Sequence, residues 1–323
     1  MSEPTSQHDA RPADRLADVP RASTRIVVGI DDTLVNWPAV DWAVQEAGAT
    51  GCPMVVAASC SAVPPSPRTA DLDRPHLREL TRELLEDVRS ELEPRLANVG
   101  TQVLEGPPAH ALADFVTADD LLVVGRRVGH PVLHAFEGST SIAVVGRSPA
   151  PVVVVPDTWS SGKSSGPVVA GVVDDRDAPV IEAGFVRAEA LGGELLVVRS
   201  WEPAAYPKSA EEIREHHEKV RQDMDDLLAA WTARYPTVAV RVECHALSPA
   251  VALVSAADGA QLLIVGRRTG THHVGGLSLT STPRAVLHHT PCPVLVLPLA
   301  ESRRSRTQRP RKVLFDGADL PEY

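Results

Sequence analysis

Short apolar runs alternate along the chain with longer stretches in which apolar positions recur every three or four residues. In the first half the pattern predicts strands near 26–30, 54–58, 101–105, 121–125 and 151–156. Between Pro75 and Asn98 the apolar positions Leu77, Leu80, Leu84, Val88 and Leu92 fall on one face of a helix. Ile213, Val220, Met224, Leu227 and Trp231 mark the corresponding helix in the second half. Strands that are nearly continuous Val and Ile, separated by amphipathic helices, predict a parallel sheet covered on both faces.

The pattern also repeats. LLVVGRRVGHPVLH from Leu121 returns as LLIVGRRTGTHHVG from Leu262, and SPAPVVVVP from Ser148 as TPCPVLVLP from Thr290. IVVGIDD near Ile26 is answered by VAGVVDD near Val169. Self-similarity over a whole domain length means a duplicated domain, since solenoid repeats are far shorter. The expected organisation is a disordered tail over 1–24, one domain over 25–157, a Ser/Gly linker over 158–166, a second domain over 167–298, and a basic tail over 299–323. The fold class is therefore α/β, with two tandem doubly wound domains.

Composition narrows the functional classes. With 323 residues, 43% hydrophobic and 23% charged, the chain has the make-up of globular domains that each bury a core. A net charge of −10 argues against a general nucleic-acid surface, and Arg303-Arg304-Ser305-Arg306 reads as a solvated tail. Cys52, Cys60, Cys244 and Cys292 lack paired spacing, as expected of reduced thiols. No run reaches the roughly 18 apolar residues of a membrane helix, and the first two dozen residues do not resemble a secretory signal. A cytoplasmic location is the resulting expectation.

Candidate chemistry gathers at strand ends, where doubly wound sheets bind ligands. Asp31-Asp32-Thr33 ends the first predicted strand, and Gly125-Arg126-Arg127 the fourth. If those strands are neighbours, a carboxylate for amine or hydroxyl donors shares a crevice with arginines suited to phosphate. Ser139 and Thr140 can cap the next helix, whose N-terminus favours an anion. Yet Val128 and Pro131 stand where such a loop wants glycine and free N–H groups.

Several stretches resemble the universal stress protein family in its tandem form: VVGIDDT…WAVQEAG at 27–48, LEGPPAHAL at 104–112, DDLLVVGRR at 119–127, EGSTSIAVVGRSPAPVVVVP at 137–156 and AVLHHTPCPVLVLP at 285–298. The resemblance implies five-stranded parallel sheets of order 3-2-1-4-5 with helices on both faces. It also implies ATP binding in members that keep a motif of Gly, two residues, Gly, nine residues, then Gly with Ser or Thr. Gly125, Gly138 and Ser139 match in the first copy, with Val128 in place of the middle glycine. Gly266 and Ser281 match in the second, where Thr269 and Thr280 replace glycines and one residue is inserted. By resemblance, Asp31 and Asp174 contact the nucleoside, Val56 and Val197 pack on the base, and Arg126, Arg127, Arg267 and Arg268 attract phosphate.

The expected function is regulation of stress or dormancy adaptation in response to ATP or a similar nucleotide, without turnover, and with the first crevice binding more tightly. A nucleotide-silent interaction protein and a slow ATP hydrolase are the alternatives. The edge strands at 151–156 and 293–298 are expected to face each other between the domains. Whole chains are expected to form homodimers, and a protein client is left unnamed. Gly162-Lys163-Ser164 lacks the first glycine of a phosphate loop. His130 and His134 have no Cys or carboxylate to complete a metal set.

Overall fold

The computed structural model describes residues 23–31, 37–61, 74–126, 139–162, 165–201, 209–268 and 281–299. In the first half β1 (Ile26–Ile30), α1 (Trp37–Thr50), β2 (Met54–Ser59), α2 (Arg74–Leu92), β3 (Val99–Leu104), α3 (Pro108–Phe115), β4 (Leu121–Arg126), α4 (Ser139–Arg147) and β5 (Val152–Pro156) alternate strand with helix. The second half repeats the series. Its elements are β6 (Val168–Gly171), α5 (Ala178–Ala190), β7 (Glu194–Ser200), α6 (Ala210–Arg234), β8 (Ala239–His245), α7 (Pro249–Ala256), β9 (Leu262–Arg268), α8 (Ser281–His289) and β10 (Val294–Leu299).

Each half has the order 3-2-1-4-5, with every neighbouring pair inside a half parallel. The halves are joined. β5 and β10 pair antiparallel, with Val153 opposite Leu295, so ten strands form one sheet in the order β3-β2-β1-β4-β5-β10-β9-β6-β7-β8. The joint brings the two apolar edge strands face to face between the halves, as expected, and leaves neither with an open edge. A strand hydrogen-bonded on both sides has no free row of N–H and C=O groups to offer. The sheet's outer strands are β3 and β8.

Alternation along the strands sends neighbouring side chains into two cores. On one face α1, α2, α5 and α6 cover Ile26, Val28, Val56, Val153, Val197 and Leu295. On the other, α3, α4, α7 and α8 cover Val27, Val124, Val154, Val198, Val265 and Val296. Both cores run unbroken through the β5–β10 joint. The face of α2 differs from the apolar spacing: Leu80 is exposed, while Thr81 and Leu85 are buried. Thr81 can be buried because its hydroxyl donates to Leu77 O at 2.8 Å.

The joint is asymmetric in charge. Glu46 on α1 and Arg187 on α5 occupy equivalent repeat positions and form an ion pair across the halves, with Arg187 above the Trp42 ring. A strict twofold dimer of either half would set this position against its own copy, with like charges facing. Glu46→Arg or Arg187→Glu alone is expected to cost about 1–3 kcal/mol, and the double exchange to restore most of it. Urea unfolding of the four proteins in a double-mutant cycle measures this.

A second tie anchors the start of β1. Asp120 is buried and accepts hydrogen bonds from Arg25 Nε at 2.9 Å, Arg25 Nη2 at 3.1 Å and Thr117 N at 2.8 Å. Burial acts to raise the Asp120 carboxyl, but the bonds from Arg25 and Thr117 outweigh it and hold the group below 3.8. A depressed carboxyl stabilises the fold above its unfolded value and loses that contribution as pH falls through the folded one. Asp120→Asn is therefore expected to flatten the decline in stability below about pH 4. Urea midpoints from pH 5 to pH 2 check it, and slopes equal to the wild type would contradict it.

Candidate functional site

The ends of the first and fourth strands share a crevice only if those strands are neighbours, and β1 and β4 are adjacent, Gly29 pairing with Val124. β6 and β9 are adjacent in the second half, Ala170 pairing with Ile264. Two glycines open the space above these ends. A Cβ on Gly29 would lie 2.8 Å from Leu112 Cδ1, and one on Gly171 would lie 3.0 Å from Leu253 Cδ2. The missing side chains let α3 and α7 lie close over the sheet.

The second-half crevice is a cleft of about 200 Å³, lined by Val173, Val198, Leu253, Val265, Arg268 and Pro283 among others. It is small beside typical small-molecule sites of roughly 300–1,000 Å³. Its charged groups satisfy one another. Arg268 Nη2 donates to Asp177 Oδ1 at 2.8 Å and lies 3.7 Å from Asp174 Oδ1. Asp177 Oδ2 accepts the Val173 N–H at 2.7 Å and the Asp174 N–H at 3.4 Å. A carboxylate of the chain thus engages both the arginine and two backbone donors at this strand end.

Strand register moves one candidate. Ile26 pairs with Met54 and Leu121, and Val168 pairs with Leu195 and Leu262, so Ile26 and Val168 are equivalent. Counting forward, Asp31 corresponds to Val173, and Asp174 lies one residue further along. Asp174 caps the 3-10 turn at Asp175–Asp177, accepting the Arg176 N–H at 3.0 Å in a capping box with Asp177. Hydrogen bonding from Arg176 is the main cause of its lowered carboxyl, with burial opposing. The second half therefore presents a half-exposed valine where the first has an aspartate.

Other candidates also change role. Val56 and Val197 are completely buried in the core beneath α1 and α5. Val198, one residue on and facing the opposite way, lines the cleft instead. Arg126 and Arg267 turn away from the strand ends and into the joint between the halves. Arg126 donates to His288 O at 2.8 Å and to Thr290 O at 2.6 Å, at the C-terminal end of α8. Arg267 donates to Gly146 O at 3.2 Å and to Ser148 O at 2.8 Å, at the end of α4. In an extended strand only one of two consecutive arginines can face a given side. The first takes the joint, so in the second half only Arg268 faces the crevice. Burial pushes both guanidinium groups below their ordinary range. Cys292, near Arg126, is pushed up to about 12 by burial and remains a neutral thiol.

Gly125 and Gly266 lie on β4 and β9, the backbones of Ser139 and Ser281 open α4 and α8, and Thr140 is exposed in the first turn of α4. Arg127, Val128 and Gly138 lie outside the described residues, as do Pro131, His130, His134, Thr269 and Thr280. Asp177 was not among the candidates read from the sequence. Its signal was the Asp174-Asp175-Arg176-Asp177 run before Ala178-Pro179, an acidic capping pattern ahead of a helix. Among the described residues, none form a cluster of His, Cys, Asp or Glu able to hold a metal. No helix among them is long and apolar enough to cross a membrane.

The sequence profile of the Universal stress protein family matches residues 23–156 and again 167–298. The chain belongs to that family. Among curated relatives of this universal stress protein, one from Mycolicibacterium smegmatis is 27% identical over 285 residues, covering 84% of this chain and 96% of the relative. Universal stress protein Rv1996 of Mycobacterium tuberculosis is 26% identical over 298 residues, covering 84% and 94%. The fold is shared with the structure of a universal stress protein from Archaeoglobus fulgidus, at a TM-score of 0.60 and 16% identity, covering 86% and 97%. It is also shared with protein PA1789 of Pseudomonas aeruginosa, described as functionally unknown, at 0.59 and 17%, covering 87% and 94%.

Proposed function

We propose that this universal stress protein is a cytoplasmic regulator of stress or dormancy adaptation that binds ATP in its first crevice only. The observation that carries this reading is the difference at the strand ends. The first half keeps Asp31 beyond β1, beside a β4 that closes with Gly125 and Arg126. The second half has Val173 at the equivalent position, and Asp177 already holds Arg268. ATP entering the second crevice would have to displace a buried carboxylate and replace two backbone hydrogen bonds. The ligand's role is control of conformation rather than turnover, and it acts on a client protein through the chain's surface.

Calorimetry with ATP is expected to give one site per chain. Asp31→Ala should weaken binding tenfold or more, since a lost hydrogen bond to a charged group costs about 1.5–3 kcal/mol. Asp174→Ala should change affinity less than about threefold, because Asp174 serves the turn before α5. Two equal sites, or loss on Asp174→Ala alone, would overturn the assignment. Absence of ATP binding by the unmutated chain favours the interaction-only reading. That reading draws support from Arg126 and Arg267, which face the joint between the halves rather than a ligand. Phosphate release with binding would point instead to a slow hydrolase.

A further inference from the structure

We propose that Arg126 and Arg267 couple the two crevices, so that a change at one is transmitted to the other through α4 and α8. The connection is reciprocal. Arg267 lies between Gly266 and Arg268, both of which line the second crevice, and its guanidinium holds the C-terminal end of α4. The other end of α4, Ser139, is the next described residue after β4. Arg126 follows Gly125 at the end of β4 and holds the C-terminal end of α8. The other end of α8 brings Thr282 and Pro283 into the second crevice.

The second crevice is thus tied to the first half twice: its wall residues Gly266 and Arg268 flank an arginine bonded to α4, and its lining helix α8 is held by Arg126 at the end of β4. α4 and α8 each have nine residues and span about 13 Å, short enough to move as rigid rods. Val144 and Val145 of α4 and Val286 and Leu287 of α8 all belong to the buried cluster that runs across the joint on this face. A cation at a helix C-terminus meets the negative end of its dipole as well as its unpaired carbonyls, which favours this use of arginine. A stiff helix held by a specific contact at one end is the kind of element through which energetic coupling between two sites can run.

The consequence deepens the proposed function and rests on it in one respect. The second half, with its own carboxylate in the anion position, would act as the responding half rather than as a second receptor. Amide hydrogen exchange on the full chain without ligand tests the coupling itself. In Arg126→Gln, exchange should rise about 5- to 150-fold along α8 and at 266–268 and 171–174, far from the substitution. Arg126→Lys, which keeps a charge but loses the two-pronged donor, should give a smaller rise over the same segments. Changes confined to residues 286–290, the last turn that Arg126 touches, would mean a local cap and overturn the proposal.

A second arm adds ATP to the same proteins. Protection of α8 in the wild type, weakened in Arg126→Gln at equal occupancy, is the expected result. ATP that binds yet leaves α8 and 266–268 unchanged in the wild type would overturn coupling. ATP that does not bind would sink the nucleotide reading alone, because the ligand-free exchange pattern decides the coupling by itself.

Discussion

Replacing Arg267 with alanine is expected to lower the unfolding free energy by about 3–5 kcal/mol. Arg267 is only 4% exposed, and its two hydrogen bonds end on the carbonyls of Gly146 and Ser148. Truncation leaves those carbonyls without a donor, at about 1–3 kcal/mol each, and adds the cost of a cavity. Relief from burying a guanidinium offsets part of the loss. Arg267→Met, which fills the space without the charge, should therefore be milder than alanine. Arg126→Ala should also cost less, because Arg126 is only half-buried. Urea unfolding of the three variants measures the series. An alanine variant within 1 kcal/mol of the wild type would show that the α4 end needs no arginine.

A carboxylate at the joint should do more damage still. Val153 is completely buried, and the residues in register with it are apolar, Val123 on β4 and Leu295 on β10. Val153→Asp would bury a charge with apolar partners on both sides, at a cost above about 5 kcal/mol, comparable with the whole stability of many domains. Both halves share the β5–β10 ladder and both cores cross it, so the loss should spread through the chain. The expected result is an unfolded or aggregated protein by circular dichroism and gel filtration. Val153→Ile, which changes only shape, should cost less than about 1.5 kcal/mol. A folded, monomeric Val153→Asp protein would mean that the halves do not depend on the joint.

The duplication, the strand–helix alternation and the adjacency of β1 and β4 were legible in the residues because each is written locally. A buried parallel strand needs a run such as LLVV, and a covering helix needs apolar residues at three- and four-residue steps. The strand order was legible only through family resemblance. The burial of Thr81 in place of Leu80 was not legible, since it depends on how α2 is rotated against the sheet. Nor was the role of the arginine pairs. VGRR states that two cations follow an apolar strand, but strand alternation and the neighbouring half decide where each one points.

The sequence by itself thus determined two α/β units, their repeat, and the carboxylate and glycine beside the first crevice. The meeting of β5 and β10 was expected; tertiary structure decided that they pair antiparallel and join the units into one sheet. It also decided that Arg126 and Arg267 cap helices of the opposite half, and that Val173 rather than Asp174 matches Asp31. The physical reason is range. Periodicity and capping involve neighbours a few residues apart, whereas strand register and the partners of a buried guanidinium are set by groups more than a hundred residues away in the chain.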